Sequence, residues 1–123
     1  MTTNTTTEEN PTFPWDELPK IVAQYLRAHI VQEYATAMTH LSEDVIVIDD
    51  GHVLEGREET LKAFDKSAND YDVETRLMAV SRPAADVWEV GTHLSGNFPG
   101  GEVDLRMRFT LADGAIRKLE ITV

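Results

Sequence analysis

The last quarter of the chain restricts its fold more than any other part. Across residues 102–111, Val103, Leu105, Met107, Phe109 and Leu111 alternate with Asp104, Arg106, Arg108 and Thr110. That period of two marks a strand with one apolar and one polar face. Gly96-Asn97-Phe98-Pro99-Gly100-Gly101 precedes the strand and Asp113-Gly114 follows it, so it belongs to a hairpin-linked run that continues through residues 116–123. A sheet with one apolar face needs a cover, and the only long helical pattern lies at the other end of the chain. The first helix is therefore expected to fold back across the last strands. The result is a cone with a floor of strands and a lid of helix, a shape that suits a small apolar ligand.

Charge and size narrow the partners. The chain has 123 residues, enough for one core, and carries 22 acidic against 11 basic side chains for a formal charge of −11. Such a surface repels phosphate backbones and anionic membranes, so no nucleic acid and no membrane partner is expected. The absence of cysteine removes both disulfides and thiolate metal sites. No apolar run approaches the ~18 residues of a membrane span. The N-terminus lacks a basic-then-apolar signal pattern, and a cytoplasmic location is the expectation.

Residues 1–12 are polar, with little to bury, and read as a disordered tail in which Asn4-Thr5-Thr6 only has the form of a glycosylation acceptor. The single domain then occupies residues 13–123. Phe13, Pro14 and Trp15 bring the first large apolar groups, Trp15 as a plug for the edge of the fold. Residues 19–41 read as helix, with Val22, Tyr25, Leu26, His29, Val31, Tyr34, Ala35 and Met38 in a broad stripe and a break near Gln32-Glu33. Val45-Ile46-Val47-Ile48 is a β-branched run that predicts a strand buried on both faces. Asp49-Asp50-Gly51 turns it back through residues 52–55, and residues 57–67 form a short amphipathic helix after Gly56. Strands follow over residues 73–81, 87–95, 102–111 and 116–123. The pattern is α+β, with a curved antiparallel sheet and no βαβ unit.

This order of elements, together with Asp44-Val45-Ile46-Val47-Ile48-Asp49, Gly56 before the short helix, and Met107-Arg108-Phe109 followed by Asp113-Gly114 and Ile116, resembles the nuclear transport factor 2-like superfamily. Gly96-Asn97-Phe98-Pro99-Gly100 before a strand carrying Arg108-Phe109 is most similar to its SnoaL-like and ketosteroid isomerase-like branch. The resemblance covers about residues 18–123 and implies a cone-shaped, cystatin-like fold. It also implies a homodimer formed through the sheet, whose mixed face carries Arg106, Arg108, Glu89 and His93. It does not choose a reaction, because the superfamily hosts isomerases, cyclases, dehydratases, epoxide hydrolases and non-catalytic binding modules.

Asp49 is the leading catalytic candidate. It ends a strand of four aliphatic residues, where desolvation raises a carboxyl pKa and makes a better base. The resemblance to ketosteroid isomerases adds Tyr25, which lies 24 positions before Asp49, the family's spacing between oxyanion-binding tyrosine and proton-abstracting aspartate. That family also uses a protonated aspartic acid beside the tyrosine. Here Leu105 occupies the corresponding position, and Asp104 falls on the opposite face. His29, one turn from Tyr25, is a candidate acid or base, or the donor that Leu105 does not supply. The alternative is that Asp49 merely begins a turn and Tyr25 is a bonded core residue.

Trp88, Val90, Leu105, Met107, Phe109, Leu119, Ile121 and Phe64 are the expected ligand-binding lining, with Tyr34 a further contributor. No metal site and no cofactor is expected, since no histidine pair has ligand spacing with a carboxylate on its element. The partner is a small hydrophobic molecule. Function therefore divides between an isomerase- or cyclase-type enzyme acting on a carbonyl compound and a non-catalytic ligand-binding or dimerisation module.

Overall fold

The computed structural model describes residues 12–123, so the expected tail and Asn4 lie outside the described residues except for Thr12. A 3-10 turn at Trp15–Glu17 leads into α1 (Lys20–Ile30), α2 (Tyr34–Met38), β1 (Leu41–Asp49), β2 (His52–Glu55), α3 (Gly56–Asp70), β3 (Val73–Ala84), β4 (Val87–Gly96), β5 (Glu102–Ala112) and β6 (Ala115–Thr122). The six strands form one sheet in the order β2-β1-β6-β5-β4-β3. Neighbours are antiparallel except β1 and β6, which run parallel and make the sheet mixed rather than purely antiparallel. The α+β class stands, and the fold is the expected curved sheet under N-terminal helices.

The long helical stretch breaks near Gln32-Glu33, as expected, into α1 and α2. Gln32 adopts a positive φ of 62°, which α-helix cannot continue through. The break turns Val31 out to 49% exposure and leaves Ala35 exposed, so these two leave the predicted stripe. Val22, Tyr25 and Leu26 keep it and are fully buried. Burial of each large apolar side chain here contributes roughly 1.5–3 kcal/mol. Trp15 is half-buried, packing edge-on against Phe13 with ring centroids 5.0 Å apart and lying under the Arg27 guanidinium.

Asp-Gly pairs turn two of the hairpins, β1–β2 and β5–β6. Asp50 and Gly51 have φ of 51° and 83°, and Asp113 and Gly114 have 54° and 75°. Both-positive φ matches a type I′ turn, whose twist suits a two-residue hairpin. The first closes Asp49 opposite His52 and the second Ala112 opposite Ala115. Gly96 has a different reason. A side chain there would run into the backbone carbonyl of Asp72, because the end of β4 crosses the start of β3 closely. Asp72 N–H donates to Asn97 Oδ1 at 2.8 Å, and Asn97 N–H donates to Asp72 O at 3.2 Å, tying the β4–β5 loop down.

Register sorts the concave face into rows. Trp88, Phe109, Leu119 and Val47 pair across β4, β5, β6 and β1, and Val90, Met107, Ile121 and Asp49 form the next row. Thr92 with Leu105, then Leu94 with Val103, continue toward the β4–β5 loop. In the first row Phe109, Leu119 and Val47 are fully buried, and Tyr25 of α1 packs on Phe109 with ring centroids 5.6 Å apart. The core therefore fills one end of the cone.

No helix among the described residues is long and apolar enough to cross a membrane.

Candidate active site

Beyond the core rows the cone is open. A cavity of about 300 Å³ lies between the sheet and the helices, at the small end of the range for small-molecule sites. Its floor is Thr75, Thr92, Leu94, Val103, Leu105, Met107 and Ile121, and its far wall is Tyr34, Phe64, Tyr71 and Phe98. Asp49 and His29 both line it.

Asp49 reaches the cavity because of register. It is the last residue of β1, paired with Ile121, and Asp50 N–H donates to Ile121 O at 3.0 Å. Odd-numbered positions Val45 and Val47 point into the core, so Asp49 continues the same inward face two residues further on. Among the described residues its carboxylate has no hydrogen-bond partner and no ion pair. Burial pushes its pKa up, the adjacent Asp50 adds to that, and His52 partly offsets it. This is the environment of a proton acceptor.

Tyr25 is not at the cavity. It is fully buried in the α1 layer, and its hydroxyl lies 2.9 Å from His29 Nδ1. The expected direct donation from Tyr25 to a ligand is therefore corrected: one helical turn along, His29 stands between it and the cavity. The buried hydroxyl has no other acceptor among the described residues, so its proton goes to Nδ1. The imidazole then carries its own proton on Nε2, which has no partner among the described residues and is not sealed in. The rings of Tyr25, Tyr34 and Phe64 surround the imidazole at centroid distances of 5.4, 5.3 and 5.7 Å. Burial pushes its pKa down to about 4. His29 is thus a neutral N–H donor at neutral pH, not a cation. Burial likewise holds the Tyr25 phenol well above its ordinary value, and Tyr34 and Asp49 add to that.

Of the eight residues expected to line a ligand site, Leu105, Met107, Ile121 and Phe64 line the cavity. Val90, Phe109 and Leu119 do not: they are fully buried in the core rows. Trp88 does not line it either: it sits in the same row as Phe109 and Leu119, half-buried, with the Arg82 guanidinium 4.4 Å above its ring. All eight were assigned to the inner side by alternation or helix pattern, but alternation does not say how far along the cone a residue sits.

Sequence reasoning missed Thr75, Thr92, Tyr71 and Phe98, and gave Tyr34 only an apolar role. Tyr34 has no hydrogen-bond partner among the described residues, which makes its hydroxyl a second cavity donor beside His29. Its pKa is raised by burial first, then by Asp65 and Asp49. The inward phase of Thr92 and Leu94 on β4 was a readable signal for the shifted site. Leu105 lines the cavity as expected, with no acid in its place. Thr92 Oγ1 is 3.3 Å from the Leu105 carbonyl and can donate to it.

The other polar candidates stay outside. Asp104 and Arg106 lie on the convex face, and His93 there joins Asp104 at 2.6 Å and Glu102 at 2.9 Å. His52 is exposed on the β1–β2 hairpin. Among the described residues no group of three or more His, Cys, Asp or Glu side chains is placed to hold a metal ion.

Sheet order, covering helices and an interior cavity beside the open rows define a cone of the cystatin-like type. No family model matches the chain, and no curated protein matches it. Solved structures do. A proposed polyketide cyclase from Sinorhizobium meliloti is 27% identical, with a TM-score of 0.82 over 89% of this chain and 100% of its own. A protein of ketosteroid isomerase-like fold from Catenulispora acidiphila, in complex with trimethylamine, is 17% identical, with a TM-score of 0.74 over 85% of both chains. A Mycobacterium tuberculosis protein in complex with estradiol-17beta-hemisuccinate is 17% identical, with a TM-score of 0.66 over 82% of this chain and 88% of its own. The chain thus shares the fold of nuclear transport factor 2-like proteins, and solved structures of polyketide cyclase-like and ketosteroid isomerase-like proteins superimpose on it.

Proposed function

We propose that the protein is an isomerase- or cyclase-type enzyme that enolises a small, largely apolar carbonyl compound. The observation that supports this most is that one cavity holds an unpartnered, desolvated carboxylate and a neutral imidazole N–H. In the proposed reaction, the Asp49 carboxylate takes a proton from the carbon next to the carbonyl. The C–H electron pair forms the C=C bond, and the carbonyl oxygen becomes an enolate oxygen. His29 Nε2–H and the Tyr34 hydroxyl donate to that oxygen, and Tyr25 acts as a positioning residue that fixes the imidazole tautomer. Protonated Asp49 then returns its proton to the same carbon or to the far end of a conjugated system. Loss of one such donor costs about 3 kcal/mol of barrier, roughly a hundredfold in rate. Ligand complexes of the Catenulispora and Mycobacterium proteins support small-molecule binding by a chain of this fold.

The test is deuterium exchange at the carbon next to the carbonyl of 2-tetralone, followed by NMR in heavy water. Wild type should exchange it faster than buffer, and Asp49→Asn should lose at least a hundredfold of that enhancement while still binding 2-naphthol, an enolate mimic. Equal exchange by both proteins would remove Asp49 from the mechanism. Binding of 2-naphthol without exchange by wild type would mark a non-catalytic binding module instead.

The convex face is proposed as the surface of a symmetric homodimer. Arg108 already pairs within the chain with Glu89 at 2.8 Å, which leaves Arg106 as the arginine for cross-subunit pairing. Sedimentation at micromolar concentration tests this, and a monomer would refute it.

A further inference from the structure

The wall of the cavity is unbalanced in charge. Among the described residues Asp49 is its only carboxylate, and no lysine or arginine lines it. Its one histidine is neutral, because burial holds its pKa at about 4. The same cavity is lined by the rings of Tyr34, Phe64, Tyr71 and Phe98. Tyr71 and Phe98 stand edge to face with centroids 6.4 Å apart, and Tyr34 and Phe64 are 5.3 Å apart. Aromatic faces carry negative potential and attract alkylated ammonium groups, the more so where water is excluded. An anionic ligand would meet Asp49 with nothing to offset the repulsion. An uncharged ligand would leave the carboxylate as it stands, desolvated and unpaired, which is costly.

We propose that the natural ligand of this cavity carries a cationic amine, seated between the Asp49 carboxylate and the aromatic wall. The proposal deepens the reading of the cavity as a ligand site and names the chemical class it selects: amino-substituted carbonyl compounds over neutral ones, and both over carboxylic acids. It is compatible with proton abstraction, since a nearby ammonium group keeps Asp49 in the carboxylate form that accepts a proton.

Three probes of nearly equal shape test it by isothermal titration: choline, 3,3-dimethylbutan-1-ol and 3,3-dimethylbutanoate. Wild type should bind choline at least tenfold more tightly than the alcohol and the carboxylate most weakly. Asp49→Asn should erase the preference for choline while keeping affinity for the alcohol. Asp104→Asn makes the same charge change on the convex face and should leave the preference intact, which separates the cavity from the general field of a chain of charge −11. Alcohol binding equal to or tighter than choline, or a preference that survives in Asp49→Asn, would overturn the proposal. If that happens while 2-tetralone exchange persists, the enzyme reading stands and only the amine class falls. If none of the three probes nor 2-naphthol binds, the cavity is not a ligand site and both readings fall.

Discussion

The two faces of one sheet treat polar groups in opposite ways. On the convex face charges are exposed and answered: Arg108 meets Glu89, and His93 meets both Asp104 and Glu102. On the concave face polar groups are few and largely unanswered. Asp49 and Tyr34 have no partner among the described residues, and His29 has only the Tyr25 hydroxyl. Exposed ion pairs are screened and contribute little to stability. Desolvated groups without partners are costly, so a fold that keeps them at a cavity points to use rather than support. The pKa directions follow the same division. Hydrogen bonds to Asp104 and then Glu102 raise that of His93, whereas burial lowers that of His29.

Neighbouring residues on β5 give the largest contrast. Phe109 is fully buried under Tyr25, and Phe109→Ala should cost about 3–5 kcal/mol, read as a lower midpoint in urea. Arg108→Ala on the other face should cost less than about 1 kcal/mol by the same assay. Near-equal losses would break the comparison.

His29 gives the next effect. Its folded pKa of about 4 lies below its ordinary value of 6.5, so its contribution is complete above pH 6.5 and is lost as pH falls through that window toward 4. A stability change on the order of 3 kcal/mol belongs to this group. His29→Gln should flatten that part of the pH–stability curve, and an unchanged slope would show that the imidazole is not desolvated.

Asp49 has the opposite sign and a smaller effect. Its pKa is raised in the folded state, so the stability it allows is complete below the unfolded-state value and declines as pH rises through the folded one. Asp49→Asn should melt at a higher temperature than wild type at pH 7, with the gap closing in acid. A lower melting temperature at pH 7 would make Asp49 a bonded turn residue.

How much of this the sequence disclosed follows from the range of each signal. Asp50-Gly51 and Asp113-Gly114 announced the β1–β2 and β5–β6 hairpins because their backbone demand is local. Alternation on β5 separated Leu105 and Met107 from Asp104 and Arg106 for the same reason. The parallel pairing of β1 with β6 is not local, and neither is depth along the cone. Which inward residues are core and which are cavity wall depends on where α1 comes to rest. It covers Phe109 and leaves Leu105 open, four residues away on one strand. The pairing of Tyr25 with His29 was visible as a four-residue spacing, but not which of them faces the cavity. The positive φ at Gln32, which ends α1, decides how Tyr34 returns to meet His29.

The central claim is that a neutral imidazole, fixed by Tyr25, presents its N–H to a ligand beside Asp49. Nitrogen NMR of His29 across pH, with and without 2-naphthol, tests it most directly. The account predicts titration near pH 4, a proton on Nε2 at pH 7, and a clear Nε2–H shift when 2-naphthol binds. Titration near the ordinary 6.5, or a signal indifferent to bound 2-naphthol, would contradict it.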